Sequence, residues 1–317
     1  MEKMIPGLIS VIIPTYNRRD MLLQAIEGIR SQDFPDVEIL VVDDGSSDGT
    51  EAALTAPDAA VRYLRNETNR GPGYSRRRGF LEARGEYIVF SDDDDYYTSP
   101  RFFSEAVRVL SEDAGGRLAF VSANAKILYV DENRFRDSPL PGEGLFSGRE
   151  YLSGFTVQYN KPLSTFTSVF RRSALAEGGL ADSVQTDDRA IYLRALLAGD
   201  VWFLADVVGV YRIHSSNISS GITADFALSL LRENESVYAE ILRRDLLPDP
   251  RSWWYGQARN IVRFYIRSSR SDLKGLLRIF LYLRGRRISL REDLTLFRQS
   301  LSSWRSLRLA AKSKPEE

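Results

Sequence analysis

The 317-residue chain contains no cysteine and one histidine, His214. The lack of cysteine excludes disulfide scaffolds, thiol catalysis and cysteine-ligated zinc or iron–sulfur sites within this chain. One histidine also excludes any site that needs two imidazoles from the same chain. The candidate chemistry therefore rests on carboxylates, hydroxyls and cationic side chains.

Long hydrophobic runs are also missing. Residues 1–9 include no apolar stretch as long as that of a secretory signal, and the longest apolar run near the C-terminus, 276–283, contains Arg278. A membrane-spanning helix needs about 20 apolar residues, so this run is far too short. A cytoplasmic location is the expectation from these absences.

The formal net charge is zero, with 43 Lys and Arg against 43 Asp and Glu, but the charges are unevenly distributed. Residues 251–314 carry 16 Lys or Arg and three Asp or Glu, whereas residues 1–250 carry 27 and 38. The asymmetry predicts an acidic catalytic body with a basic appendage.

Strand and helix patterns alternate along the first 130 residues. Buried strands are predicted at four apolar runs: 9–14, 38–43, 61–64 and 86–91. One helix face is predicted from the spacing of Leu22, Ala25, Ile26 and Ile29. Asp48 and Glu51 are spaced as a capping pair for a second, short helix. This alternation indicates parallel crossovers and an α/β fold.

Candidate chemistry lies where the strands end, because α/β sheets bind ligands beyond the carboxyl ends of their strands. Asp43 and Asp44 follow one strand, and four aspartates, 92–95, follow another. Two ionised carboxylates about 4 Å apart repel each other by roughly 1–4 kcal/mol, which a bound cation relieves. An all-oxygen cluster favours Mg²⁺, Mn²⁺ or Ca²⁺ over zinc. A solvated acidic turn is the alternative.

Five segments, in order, resemble the signatures of family 2 glycosyltransferases: 11–18, 41–50, 69–88, 92–95 and 178–188. The resemblance covers about residues 8–214. It implies a GT-A fold with a mostly parallel central sheet, and metal-dependent transfer of a sugar from a nucleotide diphosphosugar, UDP being favoured, with inversion at the anomeric carbon. It also implies a catalytic domain, placed over 1–222 with donor and acceptor halves meeting near 124. The charge and helical spacing of the rest of the chain predict a basic helical region over 223–317.

The resemblance implies a nucleotide-sugar site made of Pro14, Thr15, Tyr16, Asn17, Asp44, Arg76, Asp92 and Asp93. In it Tyr16 stacks on the base, Asp44 accepts a hydrogen bond from a pyrimidine, and Asp92 faces the ribose. Structural alternatives stay open: Tyr16 could close the sheet edge, and Asp44 could cap a helix. The cluster Arg70, Arg76, Arg77 and Arg78 could balance the diphosphate or form a solvated helix face.

The implied cofactor is Mn²⁺ or Mg²⁺, bound by Asp94, with His214 near the metal or the diphosphate. A metal at that point would stabilise the departing nucleoside diphosphate. A structural or exposed role is the alternative for a lone histidine.

Asp188 lies where the family has its catalytic base. A helix is predicted to begin there, which stabilises a carboxylate as the anion. A helix-capping pair formed by Asp187 and Asp188 is the alternative.

The implied partners are a nucleotide-sugar donor and a saccharide or lipid-linked acceptor in cell-surface polysaccharide or glycolipid synthesis. Beyond Pro250, aromatic and aliphatic residues alternate with arginines at helical spacing. This pattern suits an anionic membrane surface, here the inner face of the cell membrane, and equally an appendage that packs on the catalytic domain or a partner subunit. No nucleic-acid partner is expected, because no recognition motif accompanies the charge.

Two other classes of function stay open. A sugar nucleotidyltransferase would carry a glycine-rich loop with a basic residue after its first strand, where this chain has Pro14, Thr15, Tyr16 and Asn17. A non-catalytic sugar-nucleotide binder would be favoured by loss of the metal or base carboxylates, and both are present.

Overall fold

A computed structural model describes residues 3–55, 61–214, 221–285 and 304. The chain divides into two units, Met1–His214 and Ser215–Glu317. The first is an α/β unit and the second is helical. The reading of these units as a catalytic domain and a basic appendage stays a prediction.

The first unit is built on one mixed β-sheet. Its strands are β1 (Ile5–Thr15), β2 (Val37–Asp43), β3 (Arg62–Arg65), β4 (Gly85–Phe90), β5 (Tyr96–Tyr97), β6 (Leu118–Tyr129), β7 (Arg134–Ser138), β8 (Gly144–Phe146), β9 (Ser168–Arg171) and β10 (Asp200–Ile213). The strand order is β3-β2-β1-β4-β9-β6-β10-β5, with β7 paired to β6 and β8 to β10. All four predicted strand runs are confirmed as β1, β2, β3 and β4.

Seven helices connect these strands: α1 (Arg19–Arg30), α2 (Thr50–Leu54), α3 (Pro72–Glu82), α4 (Phe102–Glu112), α5 (Gly148–Gly154), α6 (Arg172–Glu177) and α7 (Asp188–Leu196) in the described part of the unit. The predicted inner face of α1 is buried as expected. Helix α3 lies on the opposite side of the sheet, where Gly79 packs directly on Ile12. The sheet is therefore covered on both faces, which accounts for its continuous apolar runs.

Parallel pairing brings the ends of the first strands together. β1 runs parallel to both β2 and β4, and β2 runs parallel to β3. Thr15 pairs with Asp43 at the last position of β1 and β2. The polar loops that follow β1, β2 and β4 consequently open at one edge of the sheet, which is the edge predicted to bind ligand.

One local prediction was wrong, the capping pair of Asp48 and Glu51. Helix α2 begins at Thr50 with Gly49 in the N-cap position, and Asp48 accepts hydrogen bonds from Thr50 N–H and Arg19 N–H, so it ties α2 to α1. Glu51 turns instead toward Arg65, 3.4 Å away.

The second unit contains α8 (Ala224–Arg243), α9 (Pro250–Arg267) and α10 (Leu273–Arg284). Pro248 lies between α8 and α9, and Pro250 begins α9. Each helix starts at a side-chain cap, since Thr223, Asp249 and Asp272 accept backbone N–H groups of the first turns. Among the helices described here, none has both the length and the apolar character required to cross a membrane. The predicted continuation of the basic pattern beyond 285 lies outside the described residues.

Candidate active site

The loops after β1 and β2 are joined by side-chain hydrogen bonds. Asn17 N–H donates to Ser46 Oγ at 2.9 Å, and Ser47 N–H donates to Asn17 Oδ1 at 2.8 Å. Asn17 has φ of 52°, a left-handed conformation that asparagine tolerates better than most residues. Tyr16 stays 44% exposed beside this junction. Its ring is therefore open to a planar ligand.

Asp43 and Asp44 are buried and have different partners. Asp43 accepts hydrogen bonds from Ser46 N–H at 2.8 Å and from Tyr63 Oη at 2.5 Å, so it shapes the loop after β2. Burial and this carboxylate raise the pKa of Tyr63 to about 12.

Both oxygens of Asp44 are engaged by the segment before α3. Arg70 N–H and Gly71 N–H donate to Oδ2 at 3.0 and 2.6 Å, and Asn66 Nδ2 donates to Oδ1 at 2.8 Å. Asp44 therefore anchors the start of α3 rather than the helix after Ser46. Its predicted contact with a base stays a prediction.

Asp93 and Asp94 both contact the guanidinium of Arg18, which the sequence did not single out as a site residue. Arg18 Nη1 donates to Asp93 Oδ1 at 3.0 Å and to Asp94 Oδ2 at 2.7 Å. Thr15 Oγ1 also donates to Asp93, at 2.7 Å, and His214 Nε2 lies 3.1 Å from Asp94 Oδ2. The structure thus brings His214, directly after β10, to the acidic loop after β4, and its role near a metal or diphosphate stays a prediction.

Three carboxylates form a cluster that could hold a divalent ion. One oxygen each of Asp92, Asp94 and Asp95 lies within 4.8 Å of the others. Asp95 accepts Arg212 N–H at 3.1 Å through Oδ1, whereas its buried Oδ2 has no hydrogen-bond partner among the described residues. An orphaned carboxylate oxygen in an all-oxygen cluster fits a bound Mg²⁺ or Mn²⁺.

Burial and the repulsion between neighbouring carboxylates raise pKa values in the cluster. Burial, together with the charges of Asp188 and Asp94, raises the pKa of Asp92 to about 6 against the lowering effect of Arg76. Burial and the charges of Asp94 and Asp92 raise the pKa of Asp95 well above its ordinary value. A cation in the cluster would relieve this repulsion.

Arg76 joins the acidic loop to the start of α7. Its Nη2 donates to Asp92 Oδ1 and lies 3.5 Å from Asp188 Oδ1. Burial lowers the pKa of Arg76, but the charges of Asp92 and Asp188 outweigh it, so the guanidinium stays charged.

The other three arginines of the cluster predicted around α3 have different contacts. Arg77 donates to the Ala181 carbonyl, Arg78 donates to the Arg65 carbonyl at 2.7 Å, and the Arg70 guanidinium lies 3.7 Å from the centre of the Tyr74 ring. Arg76 is the member of the cluster that reaches the acidic loop, and a role of the other three beside a diphosphate stays a prediction.

Asp187 and Asp188 also have separate roles. Asp187 is the N-cap of α7 and accepts Ala190 N–H at 2.9 Å. Asp188 is the first residue of α7 and faces Arg76 and Lys161. The distance between Lys161 Nζ and Asp188 Oδ2 is 3.8 Å. The side chain of Asp188 is 22% exposed and therefore open to a reacting group.

The two glycines of the 178–188 segment place α7. A Cβ at Gly178 would collide with the Arg194 carbonyl, so glycine permits α7 to pack on the end of α6. Gly179 has φ of +78°, a conformation that strains residues with a side chain. The glycine pair therefore positions Asp188 indirectly.

Sequence reasoning did not find Lys161, Arg18 or Asp95 as site residues. Lys161 lies in a stretch without clear periodicity, where its Nζ donates to the Pro162 and Leu163 carbonyls, each at 2.9 Å. Arg18 was visible as part of the 11–18 segment, and Asp95 as part of the aspartate run. Only the fold shows which way these side chains point.

The sheet order, the helices on both faces and the acidic strand-end loop define a GT-A-like glycosyltransferase fold. *Staphylococcus aureus* TarS 1–349 in complex with UDP-GlcNAc matches with a TM-score of 0.64 and 19% identity, over 94% of this chain and 92% of that one. Mannosyltransferase PcManGT from *Pyrobaculum calidifontis*, in complex with GDP-Man and Mn²⁺, matches with a TM-score of 0.54 and 19% identity, over 96% and 88%.

The family model for glycosyl transferase family 2 matches residues 10–178, more than half of the chain. The chain belongs to this family, which confirms the resemblance stated from its motifs.

Curated relatives agree with this membership. The GalNAc(5)-diNAcBac-PP-undecaprenol beta-1,3-glucosyltransferase of *Campylobacter jejuni* is 30% identical over 209 residues, 65% of this chain and 64% of that protein. Glycosyltransferase GlyG of *Streptococcus pneumoniae* is 27% identical over 251 residues, 74% of this chain and 79% of that protein. The chain spans less than two thirds of the *C. jejuni* protein's length.

Proposed function

We propose that this protein is an inverting glycosyltransferase that moves a sugar from a nucleotide diphosphosugar, with UDP as the favoured nucleotide, to a hydroxyl of a saccharide or lipid-linked acceptor. The observation that carries the proposal is the position of Arg76. It links Asp92 of the acidic strand-end loop to Asp188 at the start of α7. A candidate base therefore lies beside the loop that would receive the donor.

Donor binding is assigned to the loops after β1, β2 and β4. The exposed ring of Tyr16 offers a stacking face for the base, and Thr15 and Asn17 hold the loops in place. Arg18 and Arg76 supply positive charge beside the position proposed for the diphosphate. Asp44, which anchors α3, is proposed to accept a hydrogen bond from the base as well.

Asp188 is proposed to remove the proton of the acceptor hydroxyl as that oxygen attacks the anomeric carbon. A carboxylate suits this role when it is accessible and ionised. Lys161 and Arg76 flank Asp188 with positive charge, and Asp187 takes over the capping of α7. Attack from the side opposite the departing nucleoside diphosphate inverts the anomeric carbon.

A divalent cation, Mn²⁺ or Mg²⁺, is proposed to bind Asp94 with Asp92 and Asp95, and His214 lies beside them. When bound, such an ion stabilises the negative charge of the leaving nucleoside diphosphate. The orphaned oxygen of Asp95 and the all-carboxylate donor set support this assignment. The complex of PcManGT with GDP-Man and Mn²⁺ agrees with it.

A lipid-linked acceptor is proposed because the C. jejuni relative is a GalNAc(5)-diNAcBac-PP-undecaprenol beta-1,3-glucosyltransferase. Such an acceptor places the reaction at the inner face of the cell membrane, in synthesis of a surface polysaccharide or glycolipid. The intact carboxylates at both proposed positions disfavour a non-catalytic binder, and the loop after β1 disfavours a sugar nucleotidyltransferase.

The test is transfer of radiolabelled sugar from UDP-glucose, UDP-galactose, UDP-N-acetylglucosamine or GDP-mannose to a lipid extract, with Mn²⁺ present. We expect one donor to label the organic phase with the wild-type chain and not with Asp188→Asn. Equal labelling by both chains would remove Asp188 as the base. Donor binding without labelling of either the lipid or an added saccharide would support the non-catalytic alternative.

A further inference from the structure

Helix α10 carries apolar side chains on two opposite faces. Its inner face, which packs toward α8, consists of Gly275, Leu276, Ile279 and Leu283. On the outer face Leu273, Leu277 and Leu281 are 52%, 48% and 54% exposed. Spacing of four residues places the three leucines in one line, about 12 Å long at a helix rise of about 1.5 Å per residue. A helix that packs only on its own domain would normally be polar on that side.

The orientation of α10 is fixed by polar contacts with α8. Tyr282 Oη donates to Glu235 Oε2 at 2.6 Å, and Arg278 Nη2 donates to Asp225 Oδ1 at 2.5 Å. Asp272 caps the helix by accepting Gly275 N–H at 2.6 Å. Because these two contacts and the packed inner face fix α10 on α8, the line of leucines is directed outward by the packing of the unit.

Cations accompany the exposed leucines. Lys274 and Arg284 are exposed at opposite ends of the helix. The segment 250–285, which contains α9 and α10, carries eight Lys or Arg and one Asp. The outer face of α10 thus combines an apolar line with an exposed cation near each end.

Charge selects among the possible occupants of this face. A second copy is disfavoured because it would bring two cationic surfaces together. Residues 286–314 of the same chain are disfavoured for the same reason, since they carry eight further Lys or Arg against two acidic residues. A nucleic acid would match the charge and leave the leucines without a partner. An anionic bilayer satisfies both features, since leucines insert at the acyl boundary while cations meet the headgroups.

We propose that the outer face of α10, defined by Leu273, Leu277 and Leu281 with Lys274 and Arg284, docks on an anionic lipid bilayer. The proposal rests on the proposed function, because a transferase needs a bilayer only if its acceptor is lipid-linked. The helix lies in the interface and does not cross it. Docking on this face brings the chain to the surface on which that acceptor resides.

The test is flotation of the full chain with vesicles of phosphatidylcholine, alone or with one third phosphatidylglycerol. We expect flotation with the anionic vesicles that weakens as salt is raised. Leu277→Ser and Leu281→Ser should each lower the partition coefficient about tenfold. Leu242→Ser is the matched control, because Leu242 on α8 has the same exposed fraction, 54%, as Leu281. Lys274→Glu with Arg284→Glu should weaken the preference for anionic vesicles, because these two cations flank the leucines.

Three results would overturn the proposal. The wild-type chain could stay at the bottom of the gradient, or it could float equally well with and without the leucine substitutions. The third result is a dimer in sedimentation analysis that the double variant Leu277→Ser with Leu281→Ser dissociates. UDP binding with Mn²⁺, measured on the same variants, separates this proposal from the proposed function. Normal UDP binding without flotation overturns the docking face alone, and flotation without nucleotide binding overturns the transferase assignment alone.

Discussion

The ammonium group of Lys161 lies 3.8 Å from the carboxylate of Asp188. Lys161 follows α5 and Asp188 begins α7, so this pair connects two parts of the unit that the chain separates. The same Nζ donates to two backbone carbonyls, which hold the lysine in place beside Asp188. We interpret Lys161 as a positioning residue for the proposed base.

Replacing Lys161 by Met should lower kcat about threefold to tenfold, because the carboxylate loses one of the two cations that orient it. The dissociation constant of UDP should change little. Lys161→Arg should restore part of kcat, which a purely structural role would not predict. Steady-state kinetics and nucleotide titration provide the two readouts. An unchanged kcat in Lys161→Met would remove the positioning role.

Asp188→Asn should reduce sugar transfer by about two to four orders of magnitude, the usual contribution of a general base. Asp187→Asn is the matched control, since asparagine also caps helices and Asp187 accepts one backbone N–H. Its activity should stay within a few-fold of the wild type. If the two variants lose activity equally, the division of roles between these neighbours is wrong.

Glu38 should contribute stability that depends on pH. Burial pushes the pKa of Glu38 upward, but hydrogen bonds from Ser10 and Arg84 outweigh it and leave the pKa below its ordinary 4.5. A carboxylate with a lowered folded-state pKa stabilises the fold above its unfolded-state pKa and loses that contribution as pH falls through the folded value.

Glu38→Gln should therefore lower the unfolding free energy by about 1–3 kcal/mol at pH 7, and the difference from wild type should shrink below about pH 4.5. Chemical denaturation at several pH values measures it. Glu112→Gln is the control, because the Glu112 side chain at the end of α4 is exposed, and its effect should not exceed about 0.5 kcal/mol. A difference that grows on acidification would contradict the sign of the argument.

Gly178→Ala should destabilise the first unit by about 1–3 kcal/mol, because the added methyl group meets the Arg194 carbonyl and pushes α7 from α6. Gly115→Ala, whose Cβ would have no neighbour closer than 3.6 Å, should leave the melting temperature nearly unchanged. Thermal unfolding of both variants tests the comparison. Equal melting temperatures would show that the glycine is not required for packing.

Much of the first half of the fold was predictable, because strong local patterns determine it. The apolar runs of β1, β2 and β4 are buried on both faces and read as strands whatever their neighbours are. The gathering of Asp43, Asp44 and 92–95 at one edge follows from parallel pairing alone. The strands β7 and β8 were not predicted. β7 is short and mostly polar although it forms a hairpin with the preceding end of β6, and β8 is only three residues long and pairs with a distant part of the chain in β10.

The direction in which individual side chains point at the site could not be predicted from the sequence. Asp187 and Asp188 are equivalent in the sequence as capping candidates. The structure distinguishes them, because Asp187 accepts Ala190 N–H whereas Asp188 faces Arg76 and Lys161. Asp48 was similarly predicted to form a capping pair with Glu51, whereas in the structure it accepts the backbone N–H of Arg19 at 2.8 Å. In each case the decision depends on a partner that the fold brings from a distant segment.

Binding of UDP in the presence and absence of Mn²⁺, followed by thermal shift, tests the central claim most directly. A ligand at one hundred times its dissociation constant stabilises the folded state by about 2.7 kcal/mol. We predict a UDP shift that requires Mn²⁺ in the wild-type chain and is lost in Asp94→Asn, while the ligand-free melting temperatures stay similar. A wild-type chain that no nucleoside diphosphate stabilises, with or without metal, would contradict the assignment of the strand-end loops as a donor site.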